Sequence, residues 1–344
     1  MSEDILRNLD SQQRAVLLCN SGPALVLAGA GSGKTTVITH KYAYLYKNNK
    51  REDSHVLAVT FTNKAARQMQ ERICEIVAED VAGSWIGTLQ ALCSRILRMD
   101  CEALAIQRDF VIYDADDQAR LVRHILNDMK EYEALYKGIL SKIMYFKSSF
   151  ISPDEQIQNE GNFALDEKLR KIYARYKDEL KRSNALDLDD LILYTIKMFE
   201  ENASILKKYQ DMFSYVLVDE FQDTNYAQYH LLKLLVNDKH CILVAGDDDQ
   251  SIKKGVEGDN FIEKFEEDFP KTNVFKLEQN YRCTQSILSI TNSVISKNKT
   301  RRAKKLWTER SEGERVSHHW FDSEFDADDQ ARLVRHILND MKEY

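Results

Sequence analysis

Three short stretches concentrate residues suited to phosphate chemistry. "AGAGSGKTT" (28–36) spaces Gly29, Gly31 and Gly33 ahead of Lys34 and Thr35. Glycines at that spacing let backbone N–H groups close around phosphates, and a helix starting there adds its positive end. Lys34 can reach β- and γ-phosphates, and the Thr35 hydroxyl can hold Mg2+. This is P-loop spacing with Ala28 in place of the first glycine. A plain glycine-rich turn would need neither the lysine nor the hydroxyl. "LVDEFQDTN" (217–225) ends an apolar run in two acids. Asp219 is placed to hold Mg2+ through water, and Glu220 to polarise an attacking water. Adjacent carboxylates at the end of a buried strand need a partner such as a metal, which disfavours a mere acidic surface turn. "VAGDDDQS" (244–251) contributes Gln250, which could sense a γ-phosphate or its water, although an Asp-rich turn would look the same. Together the stretches point to nucleoside triphosphate hydrolysis.

These residues need elements that hold them. "ALVLAG" (24–29), "HVLAVTFT" (55–62), "YVLVDE" (215–220), "CILVAGD" (241–247) and "VFKLEQN" (274–280) read as buried parallel strands. Helical patterns lie between them; in "NKAARQMQERICEIVAE" the residues Ala66, Met69, Ile73 and Ile76 mark one apolar face. Strand–helix alternation implies a doubly wound α/β sheet, whose ligands bind at the carboxyl ends of the strands. From about 87 to 212 the pattern turns almost wholly helical with charged faces, which reads as an insertion between two parts of one sheet. A further helix begins near 281, followed by a basic stretch and the strand-like "RVSHHWF".

Composition agrees with a soluble globular protein: 344 residues, 43% hydrophobic and 30% charged, with three prolines. No apolar run reaches the ~18–20 residues of a membrane span, and no basic region followed by an apolar core marks a leader. The expected location is therefore cytoplasmic. Six cysteines lack a CxxC pair and read as reduced, mostly buried thiols rather than a zinc site. A net charge of −7 confines any nucleic-acid contact to a local basic groove.

The motifs also carry a resemblance. "LAGAGSGKTTVITHK", "AVTFTNKAARQMQERI", "LDLDDLI", "VDEFQDTNYAQY", "GDDDQSI" and "LEQNYRCTQSIL", in that order, resemble those of the UvrD/Rep/PcrA family of superfamily 1 DNA helicases. The resemblance implies an ATP-dependent enzyme moving 3′ to 5′ on single-stranded DNA, acting on 3′-tailed duplexes in repair or replication. It implies a RecA-like P-loop NTPase domain with a parallel sheet (1–86 and 213–280), a helical insertion (87–212), and the start of a second RecA-like domain (281–344). Its nucleotide site would comprise Ala28, Gly29, Ala30, Gly31, Ser32, Gly33, Lys34, Thr35 and Thr36. Gln12 or Gln13 would read adenine, with the spacing leaving both open, and Tyr281 would stack on the base. Thr35 and Asp219 would hold Mg2+; Glu220, Gln250 and Arg282 would serve hydrolysis, Arg282 by contacting the γ-phosphate. Thr60, Phe61, Thr62, Asn63 and Thr88 would line the DNA path, although Phe61 reads equally well as a strand-end core residue.

Two departures fall on the DNA side, away from the ATP motifs. After "QSI" the family has a tyrosine, a later aromatic, an arginine and a glycine; here Lys253 opens "KKGVEG". Stacking on aromatics is worth roughly 1–3 kcal/mol per base, so weaker DNA grip is expected. Leu89 and Gln90 stand where the family has Phe and His. The sequence also stops before an arginine finger, a group worth roughly 10³–10⁵ in rate in related NTPases. The stretch 326–344 repeats 114–132 letter for letter. The first copy suits its place, with Asp114 capping a helix whose stripe is Leu121, Val122, Ile125, Leu126 and Met129. The second reads as a recent duplication or a join rather than a structural repeat. The alternative to a helicase motor is accordingly a truncated ATP- and DNA-binding module without unwinding activity; no nuclease motif is present.

Overall fold

The computed structural model describes residues 5–48, 55–81, 83–150, 167–237, 241–250, 260–297, 302 and 304–314. The stretch after Ile252 with Lys253, "RVSHHWF" and the second copy at 326–344 lie outside them.

Six parallel strands form the central sheet in the order β3-β2-β6-β7-β1-β8: β1 (Ala24–Ala28), β2 (His55–Thr60), β3 (Trp85–Thr88), β6 (Phe213–Val218), β7 (Cys241–Gly246) and β8 (Asn273–Leu277). Side chains alternate across a strand, and here both faces are covered. Leu25, Leu27, Leu57, Val59, Val216 and Val218 enter one core. Val26, Ala28, Val56, Ala58, Leu217 and Ala245 enter the other, beneath α1 (Ser11–Leu18), α2 (Lys34–Asn48) and α3 (Asn63–Val77). Apolar residues at successive positions therefore follow from burial on two faces. β3 has only four residues, one of them Gly87, and carries no comparable apolar run.

Between β3 and β6 the described chain is mostly helical. α4 (Leu89–Asp100) and α8 (Leu188–Glu201) share the first core of the sheet through Leu92, Ile96, Leu191 and Ile196, and α9 (Ala203–Met212) adds Tyr209. α5 (Ala115–Asp128), α6 (Tyr136–Ser148) and α7 (Glu167–Arg182) build a separate core around Val122, Ile125, Phe146, Ile172 and Tyr176. Asp114 caps α5 by accepting from the amides of Asp116 and Asp117, and Leu121 and Met129 pack at the margin of that core. A two-stranded parallel sheet, β4 (Val111–Tyr113) with β5 (Ala185–Asp187), lies where the two regions meet.

The "LDLDDLI" segment spans that meeting point. Asp187 caps α8, its Oδ1 accepting from the amides of Asp189 (3.1 Å) and Asp190 (2.9 Å). Lys147 of α6 donates to Asp187 Oδ2 at 2.6 Å and to Asp190 Oδ1 at 2.7 Å, and the Tyr176 hydroxyl adds a bond to Asp187 at 2.8 Å. Burial works against the ammonium, yet Asp190 and Asp187 outweigh it and hold the Lys147 pKa above the usual lysine value.

The remaining helices, α10 (Tyr226–Leu235) and α11 (Phe261–Asp268), cover the first face, and α12 (Gln285–Ile295) follows β8. Cys93 and Cys101 are buried and the other four cysteines half-buried, less enclosed than their composition implied; all six are free thiols. Among the described residues no helix is long and apolar enough to cross a membrane.

Lys147→Met would leave two carboxylates buried without their cation, a loss worth about 3–5 kcal/mol for a broken buried pair. Urea unfolding followed by circular dichroism should show a destabilisation of that order. A change below ~1 kcal/mol would contradict a structural role for the pair, since that is the range of exposed ion pairs.

Candidate active site

A parallel sheet delivers the loops after β1, β6, β7 and β8 to one edge. There they border a cleft of about 440 Å³ lined by Asn8, Gln13, Gly29, Ala30, Gly31, Gly33, Lys34, Thr35, Thr36, Arg72, Glu220, Gln250, Tyr281 and Arg282. The loop after β1 turns through Gly31 (φ +76°) and Gly33 (φ +91°), conformations that L side chains rarely adopt. A Cβ at Gly33 would lie 2.6 Å from Gln13 Nε2, so a side chain there would also displace the end of Gln13. The loop feeds directly into α2, whose first residue is Lys34. Ala28 and Ser32 are buried behind the loop, Ser32 donating to Gly29 O at 2.8 Å. They shape the cradle without lining the cleft.

Lys34 donates to Ala28 O at 3.3 Å and stands 3.6 Å from Glu220 Oε2. Thr35 Oγ1 donates to Asp219 Oδ2 at 2.7 Å. Asp219, at the end of β6, is 2% exposed, and its amide donates to Val59 O at 2.9 Å. Burial pushes the Asp219 carboxyl up to about 6 against the pull of the Thr35 hydrogen bond, with the Glu220 charge adding to the rise. Glu220 adopts φ +52°, a left-handed conformation uncommon for a non-glycine residue and frequent at functional sites. Gln222 Nε2 holds its Oε2 at 2.8 Å.

A hydroxyl and a buried carboxylate in contact suit a hard cation that takes oxygen ligands and keeps several waters. The glycine cradle beside them suits the phosphates of a nucleotide. The residues therefore fit Mg2+ and ATP: Thr35 and Asp219 as the metal donors, the loop and Lys34 as the phosphate donors.

Gln250, after β7, donates from Nε2 to Asp247 Oδ2 at 2.6 Å while lining the cleft. Gln13 also lines the cleft, its Nε2 donating to Ser32 O at 3.3 Å. Gln12 turns away and accepts from the Glu278 amide at 3.0 Å. Of the two glutamines, then, Gln13 faces the candidate site. Tyr281 is 42% exposed at the cleft, and its hydroxyl donates to Asp10. Asp10 also receives the Gln13 amide at 2.8 Å, so one carboxylate fixes both groups. Arg282 reaches the cleft from a backbone held by Asn280 Oδ1 at 3.0 Å.

Thr60, Phe61, Thr62, Asn63 and Thr88 lie elsewhere on the same edge, at the ends of β2 and β3. Thr62 caps α3 through the Ala65 amide at 3.1 Å, and Thr88 caps α4 through the Ala91 amide at 3.2 Å. Thr60 and Thr88 are buried, Thr62 and Asn63 exposed. Phe61 packs, partly buried, against the first core. Leu89 is buried and Gln90 half-buried.

Sequence reasoning missed Asn8, Asp10, Arg72 and Gln222. Asp10 had a local signal, the capping box it forms with Gln13. Arg72 lies on the polar side of α3, and its spacing alone looks like a solvated face.

The profile of the UvrD/REP helicase N-terminal domain matches residues 9–270, and that of the UvrD-like helicase C-terminal domain matches 275–343. Over 341 residues the chain is 38% identical to the ATP-dependent DNA helicase PcrA of Staphylococcus aureus, covering 97% of this chain and 46% of that protein. With the protein of the same name from Leuconostoc citreum it shares 41% over 349 residues, and with that of Staphylococcus epidermidis 39% over 341 residues. The chain spans 46% of the length of each.

Proton and metal compete for the Asp219 carboxylate, because only the charged form binds a cation. With a carboxyl raised to about 6, the gain in nucleotide affinity from added Mg2+ should be full well above pH 6 and lost as the pH falls through it. Fluorescence titrations with and without Mg2+ across that range check this, using Asp219→Asn as a control that lacks the step. A gain that stays flat through pH 6, or a step retained by the asparagine variant, would contradict the assignment.

Proposed function

The chain belongs to the UvrD/REP helicase family, and on that premise we propose that it binds and hydrolyses ATP as the motor part of a DNA helicase. The observation that carries this reading is the convergence of the glycine loop, Lys34, Thr35, the paired acids and Gln250 on one sheet edge. Lys34, whose neighbours are Ala28 O and Glu220, turns to the β- and γ-phosphates. Its departure frees Glu220 to orient and activate a water as general base. Gln250 reads the γ-phosphate, and Arg282 adds positive charge where the transferring group becomes more negative. Gln13 hydrogen-bonds adenine and Tyr281 stacks on it. Thr35 and Asp219 would hold Mg2+, which would supply neutralisation of phosphate charge.

Single-stranded DNA runs past the starts of α3 and α4, whose amino ends favour phosphate. Thr62 and Asn63 are exposed to that path and Phe61 partly so, with Thr60 and Thr88 buried beneath it. Movement is 3′ to 5′, on single strands and 3′-tailed duplexes, in the cytoplasm and in the service of repair or replication.

Isothermal calorimetry and phosphate release on the chain test the core of this reading. Lys34→Ala should abolish binding of Mg2+–ATP. Glu220→Gln should keep binding and lower the chain's hydrolysis, where a general base contributes about 10²–10⁴-fold. Equal ATP affinity in the Lys34 variant, or undiminished hydrolysis without Glu220, would overturn the assigned roles.

A further inference from the structure

We propose that Lys304 is a positioning residue for the γ-phosphate sensor, through which the chain following α12 governs the preference for a triphosphate over a diphosphate. The proposal rests on the nucleotide reading above and extends it to a residue outside the cleft.

Residues 304–307 are fastened across the carboxyl edge of the sheet. The Trp307 amide donates to Glu278 O at 3.0 Å, and Trp307 O accepts from the Asn280 amide at 2.7 Å. Leu306 packs so closely on the P-loop that a Cβ at Gly29 would lie 2.6 Å from it. Its carbonyl accepts from Asn292 of α12 at 2.8 Å.

Within this segment Lys304 is a 2%-exposed side chain among three carboxylates. It donates to Asp247 Oδ1 at 2.6 Å and to Asp248, and lies 3.2 Å from Asp249 Oδ2. Carboxylate oxygens of the three aspartates all lie within 4.8 Å of one another, a crowding that repels unless a cation compensates it. Burial disfavours the ammonium, but Asp247 and Asp248 outweigh it and raise its pKa above the usual lysine value.

Asp247 passes this constraint on. Its Oδ2 accepts from Gln250 Nε2 at 2.6 Å, and its amide donates to Gln222 Oε1 at 2.9 Å. Gln222 in turn holds Glu220 at 2.8 Å. Lys304 thus anchors a hydrogen-bonded series that ends on two groups of the cleft. Without the ammonium, the crowded carboxylates repel one another, Asp247 turns, and Gln250 loses the acceptor that aims it. Conversely, a γ-phosphate that engages the Gln250 aimed by Asp247 tightens the hold on Lys304 and its segment, as reciprocal linkage requires.

The test measures affinities for a fluorescent ADP and a fluorescent non-hydrolysable ATP analogue, with Mg2+, on the 344-residue chain. The parent should prefer the triphosphate. Lys304→Met should reduce that preference about fivefold, the worth of one well-placed hydrogen bond, with ADP affinity held within about twofold. Gln250→Ala should lose the same preference, and the double variant no more, because the two act in series. Lys304→Arg should restore most of it. An unchanged preference in Lys304→Met, or equal weakening of both nucleotides, would overturn the proposal. Hydrogen exchange on the unaltered chain gives a readout independent of whether the variants fold. The amides of Lys305 and Trp307 should exchange more slowly with the triphosphate than with ADP, and identical or faster exchange would also overturn the proposal. Failure of the parent to bind either nucleotide would instead refute the nucleotide reading, and this inference with it.

Discussion

Because all six strands run parallel, the loops that follow them leave the sheet on one edge, and β1 lies between β7 and β8. That constraint assembles the cleft. The glycine loop comes from β1, the paired acids from β6, Gln250 from β7, and Tyr281 with Arg282 from β8. No two of these groups need be neighbours in sequence, and an antiparallel strand would send its loop to the far edge. The α1 helix closes the remaining side by presenting Gln13, whose position Asp10 shares with Tyr281.

The charges of the cleft and of the acidic turn behind it are balanced internally. Lys34 neighbours Glu220, Thr35 satisfies Asp219, and Lys304 compensates Asp247 and its two neighbours. On the proposed reading, phosphate would replace the neighbours of Lys34, and a divalent cation would join Thr35 at Asp219. Burial makes Asp219 a carboxylate whose ionisation is costly, so a cation beside it is strongly favoured. The same logic explains why the left-handed Glu220 is tolerated: Gln222 and Lys34 hold its side chain where extended backbone would not direct it.

The P-loop and the acids were legible because local chemistry dictates their residue types: only glycine suits φ +76° and +91°, and the acids stand where a strand ends. The long strands were legible because burial on both faces leaves runs of apolar residues. β3 escaped notice because four residues with one glycine make no run. Which of Gln12 and Gln13 lines the cleft was not legible, since it depends on which side of α1 meets the end of β8, where the Glu278 amide takes up Gln12. Thr62 and Thr88 read as contacts to DNA, yet each hydroxyl caps its own helix, a use that leaves only part of its hydrogen-bonding capacity for a ligand. Lys304 was invisible for a different reason. Its partners lie more than fifty positions earlier in the chain, and a lysine in a basic stretch resembles a solvated one.

The central claim is that one edge of the sheet forms a single nucleotide site in which Lys34 exchanges its internal partners for phosphate. A crystal structure of the chain grown with Mg2+ and a non-hydrolysable ATP analogue tests it most directly. The account predicts phosphates against the amides of residues 31–35, Lys34 Nζ withdrawn from Ala28 O and Glu220, and the base between Gln13 and Tyr281. A nucleotide seated elsewhere, or Lys34 still bonded to Ala28 O beside a bound triphosphate, would contradict it.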